Sequence, residues 1–175
     1  EATAKVPSTS TVEAEVQRIR QLVERNQFAA ALAAADELSA TVPDNRDVLY
    51  MIAVSQRHLT SIPQALDTLD RLERLHPSFS RLHQERGHCY VALRDAPKAI
   101  EAFLRAVNLN PALPASWSTL QALFRMTGQV QNAEMAAAHV ATLGQLPAEI
   151  VTATALFSDG ELAPEKFHTP GRKTI

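Results

Sequence analysis

A single cysteine, Cys89, is present, so no internal disulfide can staple the fold. Aromatic residues are scarce, 5% of 175, which leaves no platform on which nucleobases could stack. Neither sign of charge dominates: 17 Lys and Arg stand against 19 Asp and Glu, a net −2, so the basic footprint of a nucleic-acid binder is missing. No apolar run approaches the roughly 20 residues that a bilayer-spanning helix needs. These absences exclude nucleic-acid and membrane partners from the expectation. The composition that remains, 46% hydrophobic and 21% charged, is that of a globular chain able to bury a sizeable core. The sequence begins at Glu1 rather than Met, which fits either a shortened chain or a mature one whose targeting segment has been removed. A cytoplasmic setting is the expectation, with the periplasm left open.

What is present is periodic. Ala31, Ala65, Ala99 and Ala133 recur every 34 residues without a slip. Prolines keep the same interval, with Pro43, Pro77 and Pro111 in one row and Pro63 and Pro97 in another. A period of 34 is that of a helix–turn–helix array, in which each unit buries its apolar face only against its neighbours. The units run over 12–45, 46–79, 80–113 and 114–147, behind a small, polar leader over 1–11. Ser10 followed by Glu13 has capping-box spacing and predicts a first helix starting near Thr11.

Each unit reads as two helices. In the second, Leu49, Ile52, Ala53 and Gln56 share one face, and after a break at Thr60-Ser61 a further face carries Ile62, Ala65, Leu66, Leu69 and Leu72. Pro63 and Pro97 fall in first helical turns, where a missing N–H costs little, with Ser61 and Asp95 before them as N-caps. Pro43, Pro77 and Pro111 follow helix ends. The alanine row, with Ala53 and Gly87 opposite it, has a steric reason: paired antiparallel helices approach closely only across small side chains.

On these residues the chain resembles the tetratricopeptide repeat family. In the third unit Gly87, Tyr90, Ala99, Phe103, Ala106 and Pro111 match its small, aromatic and proline positions in order. Trp117, Leu120, Phe124, Ala133 and Ala137 do so in the fourth, while the first unit is degenerate at Glu15, Arg18 and Ile19. The resemblance implies an all-α, right-handed superhelix of antiparallel helix pairs. After Pro147 one more helix is expected over 148–158, turning at Asp159-Gly160 within a closing segment that ends at 165. Such arrays need a final helix over the last unit's open side, and 148–158 is assigned that task, with 166–175 as a tail.

Catalytic readings find little support. Cys89 sits in a packing row with no Ser/His/Asp grouping around it and reads as a core thiol. His83 and His88 are five residues apart and face different sides of one helix, whereas His58 and His88 could meet across neighbouring units. His76 reads as a helix-end residue. Gly171-Arg172-Lys173-Thr174 is similar to the end of a phosphate loop but lacks its earlier glycine, with Lys166 in that place. No enzymatic role, cofactor or metal is expected.

In the family, first helices line a concave groove that holds a peptide. Carried over position by position, the lining comprises Gln17, Arg20 and Glu24 from the first unit. Asp47, Tyr50, Met51, Val54, Arg57 and His58 come from the second, and Arg81, Gln84, Glu85, His88 and Val91 from the third. The fourth gives Ser118, Thr119, Ala122, Arg125 and Met126. Tyr50, Met51, Val54 and Val91 are expected to be exposed apolar anchors, and Arg20, Arg57 and Arg125 to pair with carboxylates. The repeat subtype that grips chaperone C-termini is disfavoured, because Val16, Arg20, Met51, Arg81 and Glu85 stand where it places Lys and Asn among its clamp residues. The resemblance therefore implies a scaffold for a protein or peptide ligand, with self-association through the end helices open as well. The closing stretch LPAEIVTATALFSDGELA is also similar to bacterial proteins in which such repeats precede a sulfotransferase domain, which would make this chain a regulatory or substrate-recruiting front.

Overall fold

The computed structural model describes residues 8–161. Residues 1–7 of the leader, Pro164, Pro170 and the tail over 166–175, with its Gly171–Thr174 run, lie outside the described residues. Among those described the chain is helical throughout, with no strand. The helices are α1 (Thr9–Glu24), α2 (Phe28–Ser39), α3 (Arg46–His58), α4 (Ile62–Leu75), α5 (Ser80–Ala92), α6 (Ala96–Leu109), α7 (Pro114–Met126), α8 (Val130–Gly144) and α9 (Ala148–Ser158). Consecutive helices from α1 to α8 pack in sequence as a solenoid, and first helices also meet side by side, α1 on α3 and α3 on α5.

The packing follows the steric rule. Ala31, Ala65 and Ala99 have no exposed surface and Ala133 is buried. A Cβ on Gly87 would fall 2.6–2.8 Å from three atoms of the Phe103 ring, so only glycine fits this crossing. Phe103, Leu69 and Leu72 are fully enclosed, and Cys89 is a buried free thiol pushed up to about 12 by desolvation above all. Pro63 and Pro97 occupy first helical turns, as does Pro114, which opens α7. Asp95 caps α6 by accepting from Lys98 N–H at 3.1 Å.

Two capping expectations are corrected. Helix α1 starts at Thr9 rather than Thr11, with Ser8 in the N-cap position and no side-chain bond to the backbone. Ser61 stands at the N-cap of α4, yet its hydroxyl makes no capping bond. In both places the entry is held by backbone bonds, Val12 N–H to Ser8 C=O and Ala65 N–H to Ser61 C=O, so a side-chain acceptor is dispensable.

The turns inside the units carry a second period. Asn26, Thr60, Arg94 and Gly128 are all left-handed, with φ of 59°, 63°, 58° and 74°. Each is followed by the same backbone bond, from Gln27, Ser61, Asp95 and Gln129 N–H back to the carbonyls of Leu22, Gln56, Tyr90 and Phe124. This is the Schellman turn, which satisfies carbonyls left over at the helix end. It is needed because the chain must reverse within a few residues for α1 to lie on α2, α3 on α4 and so on.

The closing helix forms over Ala148–Ser158 but does not pack on α8 as α3, α5 and α7 pack on the helix before them. It bends 114° away from α8 and runs back along the array. Ala155 packs with Ala106, Ala112 and Leu113, and its carbonyl accepts from the buried Asn110 side chain at 2.9 Å. Met126, Val130 and Met135 are exposed, at 79%, 64% and 50%. The cause is polar: the end of α9 is drawn to charged groups at the starts of α3 and α5. No single helix among the described residues is long and apolar enough to cross a membrane.

Candidate functional site

The first helices place the expected lining side by side, but the first half of the row is largely closed. Met51 and Val54, expected as exposed anchors, are buried at 4% and 7%. Helix α3 is flanked by α1, α2, α4 and α5, so nearly its whole circumference is covered. Met51 joins Val16, Ile19 and Val48 in the core cluster of the first units. Tyr50 is partly covered, standing edge-on to Phe79 with ring centroids 5.5 Å apart. Burial, with the Glu85 charge second, holds its phenol above the ordinary range.

Arg57 was expected to be free for a ligand carboxylate, and it already has one. It pairs with Glu85, whose side chain is only 5% exposed. Burial raises the Glu85 carboxyl above its ordinary value, and Arg57 pulls it partly back. Arg57 Nη2 also donates to His58 Nε2 at 3.0 Å, and the His58 ring stacks on Phe28 with centroids 3.9 Å apart. His88 meets Phe103 edge-on at 5.1 Å. Desolvation first, then the charges of Arg57 and His58, push His88 down to about 4. His58 is lowered too, by burial and by Arg57. The centre of the row is thus a satisfied polar cluster with neutral imidazoles. Among the described residues no group of three His, Cys, Asp or Glu is placed to hold a metal.

His83 points elsewhere. It is fully buried, with Nε2 3.4 Å from the Pro77 carbonyl, beside Arg86, which is tied to Asp70 and Glu73 at 2.9 and 2.7 Å. His76 lies at its helix end, 3.3 Å from the Asp44 carbonyl.

The second half of the row is open. Val91, Ser118, Arg125 and Met126 are exposed and Thr119 is partly so. Gln84 is engaged by the Ser116 hydroxyl, which donates to it at 2.9 Å. At the other end Gln17 is exposed, and Arg20 lies 3.8 Å from Asp47 with its Nε buried and without a hydrogen-bond partner.

The profile of the tetratricopeptide repeat matches residues 16–78 and again 59–116, more than half of the chain. The chain belongs to the tetratricopeptide repeat family. Its repeats form an all-α solenoid of the protein-interaction kind. Among solved structures, MamA from Desulfovibrio magneticus RS-1 (residues 41 to the end) shares this fold at 19% identity, covering 77% of this chain and 76% of that one, with a TM-score of 0.65. TTC0263, a thermophilic repeat protein of Thermus thermophilus, is 23% identical over 84% of this chain and 80% of its own, with a TM-score of 0.66. An O-GlcNAc transferase mutant of Thermobaculum terrenum is 20% identical over 70% of this chain but only 23% of its own length, at 0.64. No protein of curated function matches the chain in sequence.

One feature of this tetratricopeptide array was not expected from its residues. Asp159, at the end of α9, has a fully buried side chain. Its Oδ1 accepts from Ser80 N–H at 3.1 Å and from the Ser80 hydroxyl at 2.5 Å. Arg46 donates to the Asp159 carbonyl at 2.7 Å, and Arg81 pairs with Glu161 at 3.2 Å. The partners lie 79 residues or more apart in sequence, beyond the reach of any local spacing rule. Asp159-Gly160 read only as a turn, and the cationic N-terminal ends opposite it were the one available signal.

Proposed function

We propose that the protein is a non-catalytic scaffold that holds a peptide or a segment of a partner protein along its first helices. The observation that carries this reading is the open half of the row, where the apolar side chains of Val91 and Met126 are 42% and 79% exposed and Arg125 is exposed as well. Exposed apolar side chains with a cation on the same row of helices suit an amphipathic or extended segment that carries a carboxylate. The closed half supplies rigidity: the Arg57–Glu85 pair fixes α3 against α5, and the His58 ring stacked on Phe28 fixes α3 against α2.

The test compares the wild type with Val91→Asp/Met126→Asp in affinity capture from the source organism. Both side chains are exposed, so melting should hold while the captured partner is lost. Retention of the same partner by the double variant moves the site off this face. The second reading, a recruiting front for a sulfotransferase, draws on the closing stretch and is tested by looking for a phosphate-loop sequence encoded after Ile175.

A further inference from the structure

Helix α9 is held by a short apolar contact at Val151 and Ala155 and by the polar groups past its end. Only Val151 and Ala155 along it are buried, and Ile150 is 53% exposed. Between α9 and the end of α8 an open apolar pocket of about 540 Å³ remains, lined among others by Leu113, Val140, Leu143 and Val151. The polar end is different. Asp159 Oδ1 takes the first backbone N–H of α5 together with the Ser80 hydroxyl, as an N-cap would, although the residue in that position is Phe79. Asp159 Oδ2 lies 3.5 Å from Arg81 Nε, buried and without a hydrogen bond. Glu161 sits between Arg81 and Arg46, at 3.2 and 3.9 Å. Gly160 takes φ 75°, which turns the Asp159 carbonyl to Arg46. Arg46 in turn lies over the Phe79 ring, 4.5 Å from its centroid.

We propose that the adjoining N-terminal ends of α3 and α5 form a receptor for an acidic turn of a partner protein, an Asp-x-Glu segment, and that α9 is a strap presenting the receptor's internal occupant. Three elements read the two carboxylates: the Ser80 N–H at the start of α5, the Ser80 hydroxyl and the guanidinium groups of Arg46 and Arg81. A partner carrying the same spacing binds by displacing Asp159 and Glu161. Few buried side chains hold α9, so the strap leaves at the cost of the Ala155 contact with Ala106, Ala112 and Leu113 and of the Asn110 bond to the Ala155 carbonyl. Displacement opens the edge of the array to the incoming chain. This receptor is separate from the Val91–Met126 face, and a failure of either leaves the other standing.

The probe is a labelled, end-blocked peptide of residues 155–161, Ala-Leu-Phe-Ser-Asp-Gly-Glu, followed by fluorescence anisotropy against the whole chain. Emptying the receptor with Asp159→Ala/Glu161→Ala should tighten peptide binding at least tenfold over wild type. Adding Arg46→Ala and Arg81→Ala should abolish it, and an Asn/Gln version of the peptide should not bind. Hydrogen exchange on the wild type needs no variant: millimolar peptide should strip protection from 150–161 while the repeats keep theirs. Equal binding to wild type and emptied receptor, binding indifferent to the peptide's carboxylates, or unchanged exchange over 150–161 at millimolar peptide would each overturn the proposal.

Discussion

Replacing Arg57 by Met removes the counter-charge of Glu85 without opening a void. The carboxylate is then buried alone on α5, facing α3. Removing one partner of a buried ion pair costs about 3–5 kcal/mol, a large part of the 5–15 kcal/mol that keeps a typical protein folded. With a urea m-value of about 2 kcal/mol/M, the midpoint should drop by about 1.5–2.5 M. The deficit should also depend on pH. The native Glu85 carboxyl titrates above its ordinary 4.5, because burial disfavours the charged form. Between 4.5 and that raised value the native state holds a proton that the unfolded state lacks, so stability falls as pH rises through this window. Loss of Arg57 removes the group that pulls Glu85 down and so widens the window. His88, held at about 4 partly by Arg57, is relieved in the same variant and shifts the balance in the same direction. The deficit of Arg57→Met relative to wild type should therefore be largest at neutral pH and shrink toward pH 4.5. Urea unfolding followed by far-ultraviolet circular dichroism at several pH values measures it. Arg57→Met/Glu85→Leu should recover most of the loss, since an apolar pair replaces the ionic one. A single-variant loss under about 1 kcal/mol, a pH-independent deficit, or a double variant as damaged as the single would refute the reasoning.

Two further outcomes bear on the repeat geometry. Gly87→Ala should lower stability by about 1–2 kcal/mol despite better helix propensity, because its Cβ meets the enclosed Phe103 ring at 2.6–2.8 Å; Phe103→Leu in the same chain should return part of the loss, and a raised melting temperature for the single variant would contradict the crossing. Thr60→Gly should raise stability by about 0.5–1 kcal/mol, since a β-branched residue at φ 63° is strained by more than glycine's extra unfolded-state entropy; an unchanged melting curve would show that the turn is unstrained.

The expectation that Tyr50 is an exposed anchor and Arg57 stands free for a ligand carboxylate does not survive the packing. Tyr50 leans on Phe79, and Arg57 neutralises a buried acid. Helical periodicity identifies one apolar face of α3, but the array covers the others too, because α3 lies between two first helices as well as two second helices. The same holds for the turns. Asn26, Thr60, Arg94 and Gly128 share one conformation but no common side-chain chemistry, since the tight reversal imposes the left-handed residue whatever its type.

The sequence by itself determined the repeat, its 34-residue length and the family, because a close helix crossing tolerates only small side chains and leaves them at fixed intervals. It also made the prolines legible, since a residue without an N–H is tolerated at few helical positions. Which lining residues meet solvent, which arginine is already paired, and where α9 goes were decided only by the tertiary structure. Burial and charge pairing depend on distances between units, and residues as far apart as Arg46 and Asp159 become neighbours only once the array has stacked.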